Sequence, residues 1–214
     1  MGDEPYAALL PWIVFAVVDR ARGGSPMWAG IGALITALTL LLTSSRDRRR
    51  FGNIIVLGGV VWFAGLAVAG ALHGSDTGFI ADNGRALSAA GFALIAFGSL
   101  AFTPALEYYT RPHVRSSSWD DPAFNRVNVQ ITLIWAATFT AIALSHFVAF
   151  AFRTPEAFTV FNWVLPIALA AVAAHRSRIC WDDFNDDEMF EPDPMRDLAI
   201  DWAAPTPPLH STDH

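Results

Sequence analysis

The sequence contains no lysine, only one cysteine and none of the common catalytic motifs. All fourteen basic residues are arginine, which together with the abundant alanine is typical of a GC-rich, bacterial coding sequence. The single Cys180 excludes an intramolecular disulfide and any metal site built from several cysteines. Because a phosphate-binding glycine loop, H-E-x-x-H and G-x-S-x-G are also missing, nothing in the sequence predicts an enzyme. Asp3 and Glu4 replace a basic n-region, so we expect no cleavable signal peptide.

Long uncharged apolar runs, by contrast, are abundant. Hydrophobic residues make up 53% of the 214 positions, and they are concentrated in segments close to the roughly 20 residues that cross about 30 Å of hydrocarbon. The pattern predicts an all-α fold, a polytopic membrane helix bundle with about six transmembrane helices. Their approximate bounds are 6–22, 27–43, 53–73, 87–106, 129–152 and 157–175. Whether 6–22 crosses fully is open, because Pro11 lies early in it and Asp19 near its end.

The net charge of −6 reflects one end of the chain. Residues 179–214 contain ten carboxylates and one arginine, whereas residues 1–178 contain ten acids and thirteen arginines. This division predicts a transmembrane domain over 1–178 and an acidic cytoplasmic tail over 179–214. The prolines and few apolar residues of the tail predict that it is mostly disordered.

The arginines of the short connections predict the orientation, because cytoplasmic loops are enriched in basic residues. With six spans, the regions around 44–52, 107–128 and 176–178 share one side and contain nine arginines. The opposite side contains four: Arg20, Arg22, Arg85 and Arg153. We therefore expect both termini to lie in the cytoplasm of a bacterial inner membrane, with anionic lipid bound near the cytoplasmic arginines.

Residues 107–128 form a polar, aromatic connection that this orientation places in the cytoplasm. Glu107 and Arg111 are four positions apart, a spacing that predicts an ion pair on one helix face. Trp119 suits the level of the lipid headgroups. These three residues and Arg126 are candidates for anchoring the loop to the bundle.

Polar residues also mark one face of the fifth predicted span. Steps of three and four connect a stripe that includes the candidate pathway or ligand residues Asn128, Thr132, Trp135 and His146. The stripe is interpreted either as a route or site for a small solute or as interhelical hydrogen bonding, worth roughly 0.6 kcal/mol for each bond. The second interpretation is the more common one in membrane bundles.

Small residues repeat at the same spacing in the fourth predicted span, at Gly91, Gly98, Ala101 and Ala105. Such residues allow helix backbones to approach closely, so they predict a packing seam within one chain or between chains. His73 and His146 are predicted at similar depths, which is the minimum for bis-histidine haem ligation. Since each histidine stands alone, we expect no cofactor and no metal.

The segment from Trp119 to Trp135 reads W-x-x-P-x-F-x-R-x-N-x-x-I-T-x-x-W and resembles bacterial intracellular septation protein A-like inner-membrane proteins. The early PWIVF, from Pro11 to Phe15, resembles the first span of that group. The resemblance implies a small multi-span protein connected with envelope or division integrity, without known catalytic residues.

Together these features predict a non-enzymatic integral membrane protein that supports envelope or septation processes as a scaffold acting through 107–128 and the tail. Two alternatives are a small-solute transporter or channel and a haem-binding membrane component. The expected partners are the lipid bilayer and a protein bound by the tail. Nucleic acid is not expected.

Overall fold

The computed structural model of the protein describes residues 5–43, 54–73, 78–105, 107–111, 119, 121–152 and 154–190. All regular elements in these ranges are helical. A 3₁₀ turn at Pro5–Leu9 leads into the first helix, and a π-helical segment at Val160–Val164 connects the last two. The α-helices are α1 (Leu10–Ala21), α2 (Pro26–Thr43), α3 (Ile54–His73), α4 (Phe79–Ser99), α5 (Glu107–Thr110), α6 (Pro122–Phe152), α7 (Pro155–Thr159) and α8 (Leu165–Phe190).

Among the described residues, four stretches have the length and apolar composition to cross a membrane: α2, α3, α6 and the continuous run from α7 into α8. They correspond to four of the six predicted spans. The other two differ, because α1 has only 12 residues, a rise of about 18 Å against a hydrocarbon thickness of about 30 Å. α4 has 21 residues but contains Asp82, Asn83 and Arg85 in its first two turns.

The core of the bundle is built around aromatic rings from four helices. Trp12 of α1 contacts Phe63 of α3 and Phe92 of α4 edge-to-face, with ring centroids 5.1 and 5.0 Å apart. Phe92 in turn stacks on Phe139 of α6 at 4.0 Å. The buried Trp12 indole N–H donates to the carbonyl oxygen of Ser88 at 3.0 Å. A single aromatic cluster therefore ties the short α1 to the longer helices.

Glycine brings α2 and α3 into close contact. A Cβ atom on Gly30 would lie 2.8 Å from the backbone nitrogen of Ala67, and one on Gly70 would lie 2.6 Å from that of Met27. Both distances are too short for a side chain, so the two backbones touch at both points. This is the small-residue packing that membrane helices favour.

The bounds of α4 and α6 differ from the predicted spans, because hydropathy does not determine where a helix ends. α4 stops at Ser99, well before the predicted end at 106; the Ser99 hydroxyl accepts from the Ala105 amide at 3.0 Å, and Pro104 follows in the turn. α6 starts at Pro122, ahead of the predicted 129. Asp121 caps it by accepting from the Ala123 amide at 2.7 Å, and proline is favoured at a first helical position.

The last helix also differs from the predicted division of the chain. α8 continues to Phe190, so the expected boundary at residue 178 lies inside a helix. The predicted disorder of the tail falls otherwise on residues 191–214, which lie outside the described ranges.

Candidate functional site: a buried ion pair between two cavities

Asp19 in the last turn of α1 and Arg85 in the second turn of α4 form a buried ion pair. Arg85 Nε donates to Asp19 Oδ2 at 2.7 Å, and the side chains are only 11% and 7% exposed. Taking two charges out of water costs several kcal/mol per ion, which their attraction offsets only when the remaining polar atoms are also satisfied. The stability of the pair therefore depends on whether its remaining polar atoms are hydrogen-bonded.

Several atoms around the pair are buried without a hydrogen-bond partner in the described part of the chain. They are Asp19 Oδ1, Arg85 Nη1 and Asn83 Oδ1. Asn83 uses its amide nitrogen to donate to the carbonyl of Phe79 at 2.9 Å, and its non-helical backbone (φ −116°, ψ 16°) bends the start of α4. The cluster presents both acceptors and donors that nothing in the described chain satisfies.

Aromatic rings hold the two arginines of this region. The Arg85 guanidinium carbon lies 5.2 Å from the centre of the Trp163 ring and 5.5 Å from that of Phe158. Arg20 lies 5.8 Å from the same Phe158 ring. Cation–π contacts of this kind strengthen when they are shielded from water, so they help to orient Arg85 between α1 and the π-helical segment.

His146 near the end of α6 joins the cluster through Asn162 of the π-helical segment. Its Nδ1 lies 2.8 Å from Asn162 Oδ1. Because an amide oxygen only accepts, this contact requires the proton on Nδ1. Ser145, one residue earlier, has its hydroxyl 2.8 Å from the carbonyl oxygen of Phe161, so two neighbouring side chains of α6 bind the irregular turn.

Asp19, Asn83 and Arg85 line a cavity of about 420 Å³, called here the polar cavity. Gly23 and Gly24, with φ of 66° and 85°, form the turn at its edge after α1. Phe150 and Phe158 supply aromatic surface. The polar and charged side chains that line it are Asp19, Arg20, Asp82, Asn83, Arg85, His146 and Asn162.

A second cavity of about 440 Å³ lies beside the first, and we call it the apolar cavity. Its lining is almost entirely apolar and comes mainly from α1, α6 and α8. Apart from its two tryptophans, the lining residues with polar or charged side chains are Arg85, Ser88, His146 and Asn162. Arg85, His146 and Asn162 also line the polar cavity, so the two spaces adjoin at these side chains.

The predicted stripe on α6 is split between the two ends of the helix. Asn128 is fully buried at the other end, where it accepts from the Thr110 hydroxyl at 2.6 Å and donates to the carbonyl of Phe124 at 2.8 Å. Thr132 is also fully buried. Between Thr132 and His146 the stripe is apolar, and the Phe92–Phe139 stack occupies it. The stripe is therefore not a continuous polar route.

The loop candidates form a compact group where the structure describes them. Arg111 Nε donates to Glu107 Oε1 at 2.9 Å, which is the ion pair predicted from their spacing. The Arg111 guanidinium also lies 5.1 Å from the Trp119 ring, whose N–H donates to the Arg111 carbonyl at 3.3 Å. Arg126 is exposed on α6. The hydrogen bond between Thr110 and Asn128 joins the short helix α5 to α6.

The predicted small-residue seam is only partly a packing surface within the chain. Gly91 is essential, since a Cβ there would lie within 2.2 Å of the Trp62 indole nitrogen, and Ala105 is buried. Gly98 has nothing within 4 Å of its Cβ position, and Ala101 is exposed. The inner face of α4 is formed by Ala89, Phe92, Ala93 and Ala96 instead.

The haem alternative cannot be followed to its second ligand. His73 ends α3, but its side chain lies outside the described residues, whereas His146 binds Asn162. In the ranges that the structure describes, no group of three or more His, Cys, Asp and Glu side chains could hold a metal ion.

Local spacing did not reveal the Asp19–Arg85 pair. The sequence suggests only an interfacial charge cluster at Asp19, and Arg85 counts merely toward orientation. The available signal was a carboxylate inside one apolar segment and an arginine just before another, since charges in membrane segments mark functional sites.

No protein-family model matches the chain, and no curated protein or solved structure has significant similarity to it. What the fold and composition define is a class: a helical membrane protein, with four helices able to cross a bilayer and a buried ion pair at one end of the bundle.

Proposed function

We propose that this membrane protein binds a small dipolar solute, one with both an anionic and a cationic group, in the polar cavity. The observation that carries the proposal is a pair of buried, unsatisfied atoms of opposite charge, Asp19 Oδ1 and Arg85 Nη1, on two residues that line one cavity. An unsatisfied buried donor or acceptor costs roughly 1–3 kcal/mol, and more when it is charged. A ligand that satisfies both removes that cost.

The charges around the cavity favour a dipolar ligand over an ion. Two arginines, Arg20 and Arg85, stand with two aspartates, Asp19 and Asp82, so the lining has no formal net charge apart from His146. Arg85 Nη1 would donate to an anionic oxygen of the ligand, while Asp19 Oδ1 and Asn83 Oδ1 would accept from an ammonium group. A single ion would leave either the donor atom Arg85 Nη1 or the acceptor atoms Asp19 Oδ1 and Asn83 Oδ1 without a partner.

Of the predicted small-solute transporter or channel, this keeps the solute but gives it a binding site instead of a route along α6. The apolar break around Phe92 and Phe139 supports binding at one end of the bundle more than conduction through it. By the arginine count, with α4 counted as a crossing helix, that end is predicted to face away from the cytoplasm.

Arg20 and Arg22 offer a matched test. Both are exposed and each lies over an aromatic ring, Phe158 or Trp28, but only Arg20 lines the polar cavity. The purified full chain in detergent would be melted with phosphoethanolamine as the dipolar probe, phosphate as an anion and ethylammonium as a cation. We expect phosphoethanolamine to raise Tm most, with a stabilisation of about 2.7 kcal/mol at a hundredfold excess over Kd.

Arg20→Gln should weaken this binding by about tenfold, because it removes a charge-assisted hydrogen bond. Arg22→Gln should leave it unchanged. Equal responses from the two variants, or no shift with any of the three probes, would overturn the proposal.

The role in envelope or septation processes stays a separate proposal, supported by the sequence resemblance at Trp119–Trp135. Its proposed surfaces are the 107–128 connection and the tail. Since α8 ends at Phe190, the informative truncation is one after residue 190. Affinity capture of partners by the full chain and by this truncated chain would test it, and identical partner sets would remove the tail from the proposal.

A further inference from the structure

The apolar cavity extends away from the polar cavity along α6. It begins at Arg85, His146 and Asn162, which it shares with the polar cavity, and continues along α6 past Ile142 and Phe139 to Trp135. His146 and Trp135 are eleven residues apart, which is about 16 Å along a helix. That is about half of the roughly 30 Å hydrocarbon thickness, so the cavity has the depth of one lipid leaflet.

The outer wall of the apolar cavity is open rather than enclosed. Three apolar residues that line it are more than half exposed: Ile13 at 53%, Val17 at 54% and Ile167 at 64%. In a bilayer such surface faces acyl chains rather than water. A hydrocarbon chain could therefore enter sideways, between α1 and α8, without leaving the membrane.

We propose that the ligand is a membrane phospholipid whose headgroup carries both a phosphate and an ammonium group. The headgroup occupies the polar cavity and one acyl chain occupies the apolar cavity. This inference rests on the proposed function, because it names the dipolar group as part of a lipid. Phosphate suits the arginines Arg20 and Arg85, and ammonium suits the carboxylate of Asp19 and the amide oxygen of Asn83.

α8 supplies a matched pair of variants for the acyl-chain part. Ile167 and Val172 are similarly exposed, at 64% and 60%, but only Ile167 lines the apolar cavity. Ile167→Trp should fill the space where the chain lies, whereas Val172→Trp should only add a ring on the lipid-facing surface. Losing the burial of two or so methylene groups corresponds to about a tenfold loss of affinity.

The experiment measures ligand retained by the full chain in native mass spectrometry from detergent. The probes are phosphatidylethanolamine, phosphatidylglycerol with the same acyl chains, diacylglycerol and soluble glycerophosphoethanolamine. We expect wild type to retain phosphatidylethanolamine best. Ile167→Trp should bind it about tenfold more weakly and bind glycerophosphoethanolamine normally, and Val172→Trp should match wild type with both. The comparison of probes on wild type does not depend on any variant folding.

The outcomes separate this inference from the proposed function. If Ile167→Trp and Val172→Trp retain the phospholipid equally while glycerophosphoethanolamine still binds, the acyl-chain inference is overturned and the polar site stands. Equal retention of phosphatidylglycerol overturns the dipolar headgroup. Failure of both phosphatidylethanolamine and glycerophosphoethanolamine to bind overturns the inference and the proposed function together.

Discussion

At the scale of single residues, Asp19 and Arg85 illustrate how two buried charges depend on each other. Neither side chain is more than 11% exposed, so removing one charge leaves the other without a counter-ion in a poorly solvated place. Such a loss is strongly destabilising even where the intact pair adds little net stability. The pair is thus more informative about what breaks the fold than about what holds it together.

Asp19→Asn should lower the free energy of unfolding by about 3–5 kcal/mol, because Arg85 keeps its charge and loses its counter-ion. Unfolding in mixed micelles with increasing denaturing detergent would measure it. Asp183→Asn, at an exposed position on α8, is the control and should change the value by less than about 0.5 kcal/mol. An Asp19→Asn chain as stable as wild type would contradict a structural role for the pair.

Gly91 and Gly98 provide a second comparison, within one helix. Alanine at 91 would drive a methyl group into Trp62, and overpacking of this kind costs typically about 1–3 kcal/mol. Alanine at 98 meets nothing and should stabilise the helix by roughly 0.5–1 kcal/mol through its better propensity. The same unfolding measurement would show both signs, and two equal effects would contradict the packing described for α4.

The residues of the site also show what spacing can predict. His146 was found because steps of three and four place residues on one helix face. Asp19 and Arg85 are 66 positions apart, and their contact depends on how α1 lies against α4, which no local pattern contains. Asn162 lies in a π-helical turn, where a 3.6-residue period no longer describes the face.

At the scale of elements, hydropathy predicted helices well and their ends poorly. α2 and α3 begin and end within a residue of the predicted bounds, because both are almost uniformly apolar. α4 is displaced toward its N-terminus because the turn before Pro104 fixes its end, and α6 starts earlier than predicted because Asp121 caps it. The polar start of α4 was not predicted, because Arg85 pairs with Asp19 of another helix and hydropathy considers one helix at a time.

The contact between α5 and α6 can be measured as an energy. Thr110 donates to the buried Asn128 at 2.6 Å, and such hydrogen bonds in membrane bundles are worth about 0.6 kcal/mol. A double-mutant cycle with Thr110→Val and Asn128→Leu should give a coupling of that size. Thr140→Val replaces a hydroxyl on α6 that bonds to Ala136 and should show no coupling to Asn128. Zero coupling in the first cycle would exclude this bond as an anchor.

At the scale of the whole molecule, the orientation predicts on which side of the membrane the polar cavity opens. With α4 counted as a crossing helix, the arginine count predicts that α7, at the start of the last membrane-spanning stretch, lies outside the cytoplasm and the end of α8 inside it. Replacing Cys180 by serine removes the only native thiol. Exposed positions at either end of this stretch, Glu156 and Asp182, then accept single cysteines.

A membrane-impermeant maleimide added to intact cells should label Glu156→Cys and leave Asp182→Cys unlabelled until the membrane is opened. Labelling opened cells measures the total amount of each variant and so controls for differences in expression. Labelling of Asp182→Cys from outside would reverse the orientation and place the polar cavity on the cytoplasmic side.

The length of the π-helical segment determines how the chain before it is oriented relative to α8. A π turn holds one residue more than an α turn, and this one ends two residues before Pro166, whose ring would otherwise press on the carbonyl of Asn162. Deleting one residue from 160–164 would rewind the turn and rotate everything N-terminal to it by about 100° relative to α8. A one-residue length change would therefore break the contact of His146 with Asn162 and leave α2, α3 and α6 unchanged.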